Sequence, residues 1–157
     1  MKKLYVIIVL LILTSCSVSK AVQESKKSIK GNWTLTTINY SESGVFNVVL
    51  LKDSPADCFK GSTWQFIPNN NTGSYTLNNS ICTTGMRHFV FTIEDVNSDG
   101  FQGFLLKPTD EKHKSETNQG FRFSLLTLTQ SEMQLRQTVT LDGKPFNIIM
   151  NFSKIQE

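Results

Sequence analysis

A chain of 157 residues has room for one domain with a sizeable core and not for two comfortable ones. Eleven Phe, frequent Thr, Ser and Asn, scarce Ala and no long Leu/Ala/Glu/Lys periodic run are a β composition rather than a helical one. The formal net charge is +3, but Lys2 and Lys3 belong to a leader, and residues 16–157 carry 14 basic against 13 acidic side chains; no electrostatic footprint for nucleic acid is left.

Met1-Lys2-Lys3 is a short positive head, and Leu4 to Leu13 is an apolar run about half as long as a bilayer-spanning helix needs. Residues 1–15 therefore read as an export signal. Leu13-Thr14-Ser15-Cys16 resembles the bacterial lipobox, in which the cysteine is acylated (palmitate among the acyl chains) and becomes the new amino terminus. The alternative is an ordinary secretory signal cut nearby. Acyl chains at roughly 0.8 kcal/mol per buried methylene would hold the domain on a membrane without a spanning helix. Ser17, not Asp, follows Cys16, which points to the outer membrane, facing the periplasm. Residues 16–28 are polar apart from Val18, Ala21 and Val22 and read as a solvated tether; a short helix over Ala21 to Lys27 that caps the barrel is the other reading.

The fold proper begins at Lys30-Gly31-Asn32-Trp33. Glycine lets the chain enter a strand at an angle that a β-carbon resists, and Trp33 brings a large apolar group to the base of a core. The first strand runs from about Asn32 to Tyr40, with Trp33, Leu35 and Thr37 on one face. Ser41 to Gly44 is a turn, Val45 to Leu51 an apolar run, and Lys52 to Asp57 breaks it. Trp64-Gln65-Phe66 alternates, Pro68 to Gly73 turns, and Ser74 to Asn78 returns. Arg87 to Val96 is half-buried, with Phe89, Phe91 and Ile93 aligned. Phe101 to Lys107 follows, then a polar loop over Pro108 to Gln119. Gly120 to Leu128, Met133 to Leu141, the Asp142-Gly143 hairpin turn and Phe146 to Phe152 complete about eight antiparallel strands joined by short turns.

Such a meander closes as an open sheet, a sandwich or a barrel, and barrel closure alone removes the edges. Gly31-x-Trp33 opening the first strand, Thr63-Trp64-Gln65-Phe66 before an Asn/Gly turn and Tyr75, and Phe123 to Thr129 before Met133-Gln134-Leu135-Arg136 resemble the lipocalins, and more closely the small lipocalin-like domains of bacterial lipoproteins. The likeness covers roughly Ile29 to Ile155. It implies an all-β, up-and-down antiparallel barrel of about eight strands over residues 29–157; the expected departure from the family pattern is that the C-terminal helix of typical lipocalins is lacking. It also implies a cation over the first-strand Trp, and Arg136 is the candidate.

Cys58 and Cys82 are an even pair in an exported chain and read as a disulfide; two unpaired thiols are the alternative. Asp95 to Gly100 mimics half of a calcium loop, but the twelfth position is Leu106 where a bidentate Glu is required, so it reads as a hairpin turn. His88 and His113 stand apart in sequence with no recognisable nucleophile and carboxylate, and no catalytic residue, metal site or cofactor is assigned. Trp33, Trp64, Phe91 and Phe123 either line a ligand cavity, with Arg136 beside it, or fill the core. The expected function is non-enzymatic binding or carriage of a small apolar molecule; the alternative is a solid interaction module that contacts an envelope protein through the loops Lys52 to Gly61 and Pro108 to Gln119.

Overall fold

The computed structural model describes residues 18–115 and 117–156, so the leader and Cys16 lie outside the described residues. In chain order the elements are α1 (Lys20–Ile29), β1 (Gly31–Tyr40), β2 (Val49–Leu50), β3 (Ser54–Pro55), α2 (Ala56–Phe59), β4 (Thr63–Ile67), β5 (Thr72–Leu77), β6 (Gly85–Val96), β7 (Gln102–Thr109), β8 (Phe121–Leu128), β9 (Glu132–Leu141) and β10 (Lys144–Lys154). Eight of the strands form a closed antiparallel barrel in the order β1-β10-β9-β8-β7-β6-β5-β4, and β2 pairs only with β3. Closure depends on β1, whose first residues pair with β4 (Trp33 opposite Trp64) and whose stretch from Trp33 to Tyr40 pairs with β10 (Trp33 opposite Lys154).

The segment read as a solvated tether is helical from Lys20. Ser19 caps it by accepting the Val22 amide at 3.2 Å, and Lys26 and Lys27 occupy the last turn, where the carbonyl ends favour cations. Only a narrow stripe is apolar: Val22 and Ile29 are buried, and the helix packs on β6 and β8. Such a stripe is diluted by neighbouring Lys, Gln, Glu and Ser, so hydropathy hides it. Gly31 then turns the chain at φ 113°, a value that L side chains rarely adopt, and delivers Trp33 into the barrel. Trp33 is fully buried and donates its indole N–H to the Ile29 carbonyl at 2.7 Å. Helix, glycine and tryptophan together plug this end.

Two further expectations are corrected. Alternation along β1 would put Thr37 inward and Ile38 outward, yet Ile38 is buried and Thr37 exposed. A bulge between Leu35 and Thr37 in the pairing with β10 shifts the phase by one residue. The cation over Trp33 is Lys154, at 5.1 Å from the ring centroid, and not Arg136, which lies over Phe101 at 5.1 Å. Met133 and Leu135 point into the core from β9, so Arg136 between strand neighbours of that phase faces outward; Lys154 is the direct cross-strand partner of Trp33.

Candidate functional site

The inward positions of an eight-stranded barrel decide whether it is filled or hollow. Here they are largely aromatic. Trp64 packs against Tyr75, Phe89 and Phe152 with ring centroids 4.7, 5.7 and 5.5 Å apart. Phe66 continues to Phe89, Phe91 and Phe104, and Phe104 to Phe123 at 6.3 Å. Trp33, Trp64, Phe91 and Phe123 are each no more than 3% exposed, placed in this packed core. Phe91 reaches a surface cleft beside Asn70 and Asn71; the other three line neither of the clefts described next.

The end opposite α1 is the mouth. Residues 41–62, which contain β2, β3 and α2, fold over it and set Leu50, Leu51, Ala56 and Phe59 into the core. The Cys58–Cys82 disulfide, with Cα atoms 5.9 Å apart, ties this lid to the loop between β5 and β6, as the cysteine pairing predicts. A second latch lies beside it. Asp53 of the lid accepts the Tyr75 hydroxyl at 2.9 Å and the Arg87 Nε at 3.0 Å, and Arg87 also donates to the carbonyls of Thr83 and Gly85 at 2.8 Å. Tyr75 and Arg87 are register partners on β5 and β6, so both reach the same carboxylate. The ion pair is about three-quarters shielded from solvent, so removing either partner would leave a largely shielded charge without its counter-ion. Burial first, and the Asp53 carboxylate second, push the Tyr75 phenol well above its ordinary pKa, so it remains a donor through the physiological range.

The lid leaves two openings. On one side a polar cleft of about 610 Å3 lies between Lys52, Asp53, Tyr75, Arg87 and His88 and the 110–119 loop. It brings together the two loops that sequence reading proposed as contact surfaces. His88, which lines it, lies at a ring separation of 5.8 Å from His113, which does not. Asp110 is committed to its own turn, accepting the amides of Lys112 and Lys114 at 3.0 and 2.7 Å. On the other side an apolar groove of about 380 Å3 runs between the lid and the ends of β8, β9 and β10, lined by Phe46, Val49, Phe121, Val139, Phe146 and Ile148 among others. The Phe46 ring packs tilted against Phe146, with centroids 4.8 Å apart, and edge-on against Tyr40 at 5.4 Å. Sequence reading did not find this groove. Its one signal was the apolar run Val45 to Leu51, which is mostly lid rather than strand.

The lipocalin-like domain model matches residues 29–135, and the chain belongs to that family. Among solved structures it is similar to a lipocalin-like protein from Bacteroides uniformis, with 11% identity, 82% of this chain and 99% of that chain covered, and a TM-score of 0.51. It is also similar to bovine odorant binding protein in complex with a selenium-containing odorant, with 10% identity, 84% and 73% coverage, and a TM-score of 0.45. At 11% identity the likeness to the Bacteroides uniformis protein is one of fold. No curated protein matches the chain.

Proposed function

We propose that this member of the lipocalin-like family is a binding protein, not a catalyst, and that it takes a small apolar molecule into the groove at the barrel mouth. The observation that carries this reading is the groove itself: its volume falls in the range of small-molecule sites, and its walls are mostly aromatic and aliphatic, with Asn47, Lys52, Gln137 and Thr140 as the polar lining. The packed aromatic interior directs the ligand to the mouth rather than to the barrel axis. Val139 is partly exposed, at 37%, so Val139→Asp should leave the fold intact while placing a carboxylate against the ligand. Binding of the neutral fluorescent probe N-phenylnaphthylamine is expected to weaken at least about tenfold. A parent protein that does not bind the probe, or a variant that binds it equally, overturns the assignment.

The filled core, together with Val45 at 98% and Ile81 at 88% exposure, favours a second reading, a solid module that docks an envelope protein through its mouth loops. The native mass of gently purified protein separates the two, since a co-purifying small molecule belongs only to the first.

In this proposal the protein works in the cell envelope, anchored through acylated Cys16 at the outer membrane and facing the periplasm. The support is the lipobox-like Leu13-Thr14-Ser15-Cys16. Metabolic labelling with a fatty acid should mark the parent, and Cys16→Ala should abolish the label and release the protein from the membrane fraction. Label that persists in the variant contradicts the anchor.

A further inference from the structure

We infer that the helix-covered end of the barrel is the face that lies on the phospholipid surface, and that the mouth with its two clefts points away from the membrane into water. This rests on the Cys16 anchor proposed above and adds the orientation of the anchored domain.

The length of chain between anchor and fold carries the inference. Acyl chains in the hydrocarbon put Cys16 at head-group level, and Cys16 stands two residues before Val18. An extended chain covers at most about 3.6 Å per residue, so Val18 lies within about 7 Å of the anchored residue. Val18 is in turn tied to the fold, because the Gln23 side-chain amide in the first turns of α1 donates to its carbonyl at 3.0 Å.

α1 is held across the closed end along its length. Val22 near its start and Ile29 at its last position are both buried. Between them the Ser25 hydroxyl donates to the Gln102 side-chain carbonyl, and Gln102 shares the strand phase of the inward-facing Phe104 and Leu106. The Trp33 indole holds the last turn through the Ile29 carbonyl. Swinging the helix out to lengthen the tether would expose Val22 and Ile29 to water and break these hydrogen bonds.

The mouth is out of reach. β6 runs from the mouth to the closed end over 12 residues; at about 3.3 Å per residue and a tilt of about 40°, the two ends of the barrel are roughly 25 to 30 Å apart. Surface chemistry by itself would argue the reverse. The most exposed apolar side chains, Val45 and Ile81, belong to the mouth. At the closed end Lys20, Lys27 and Lys30 are exposed together with Glu24, Asp95, Asp99 and Glu132, a mixture with little net attraction for lipid phosphates. The short tether overrides both. Its consequence is that the groove exchanges its ligand with water and not with the bilayer, and that Val45 and Ile81 are presented to the aqueous side.

The test uses the acylated protein in vesicles of phosphatidylethanolamine and phosphatidylglycerol that contain a head-group spin-labelled lipid, a quencher acting only at short range. A fluorophore is attached at Ser98→Cys, in the turn between β6 and β7, or at Ser43→Cys, in the lid; both serines are exposed. Emission at position 98 should be mostly lost, and emission at position 43 should match that in vesicles without quencher. Equal quenching of the two labels, or greater quenching at position 43, overturns the orientation, while flotation of the protein with the vesicles keeps the anchor standing. Protein that does not float overturns the anchor itself. A Gly/Ser linker of about 20 residues, with a reach of roughly 25 Å, inserted between Ser17 and Val18 should erase the contrast between the labels. Contrast that persists with the linker overturns the tether as its cause.

Discussion

Replacing Trp33 by Ala should lower the free energy of unfolding by about 3 to 5 kcal/mol, the range for a large buried aromatic truncated to a methyl group. Trp33 is fully buried, it faces Trp64 across the β1–β4 pair that closes the barrel, and Lys154 covers its ring. Its indole N–H also caps the end of α1 through the Ile29 carbonyl. Truncation therefore opens a cavity and leaves that carbonyl without its partner. Most of the stability of a small domain is at stake. Urea denaturation of parent and variant measures the difference. A midpoint within error of the parent would mean that the helix-covered end is not a cooperative part of the core.

Removing the Cys58–Cys82 disulfide, by the double change to Ser or by reductant, should cost roughly 3 to 4 kcal/mol in the chain-entropy account, for a sequence separation of 24 residues. The effect should reach the mouth as well. Cys58 sits on α2, directly before Phe59, whose ring packs 5.4 Å from Tyr75 and 6.4 Å from Trp64. Once the bond is lost, the lid is held by that packing and by the Asp53 latch. Both clefts share lid residues, so probe binding in the groove should weaken along with thermal stability. A melting temperature unchanged by reductant would contradict the cross-link's role.

The strands of the barrel were legible in the sequence because each alternating run is a local record of which residues face inward. Phe89, Phe91 and Ile93 announce β6, and Phe121, Phe123 and Leu125 announce β8. Gly31-x-Trp33, the Asp142-Gly143 turn and the cysteine pair are likewise local chemical statements. They determined an all-β chain, its approximate strands, its cross-link and the buried plug at Trp33. Tertiary structure alone decided the rest. The phase change in β1 is a bulge set by pairing with β10, and the cation over Trp33 is chosen by register, not by residue type. The site is the plainest case. Phe46, Phe121, Val139 and Ile148 come from four separate stretches, and nothing in the period of any one of them says that they share a wall. Asp53, Tyr75 and Arg87 meet because a lid folds back over a hairpin. Alternation encodes inside against outside, whereas a groove between a lid and a barrel rim is neither, and only closure of the chain upon itself creates it.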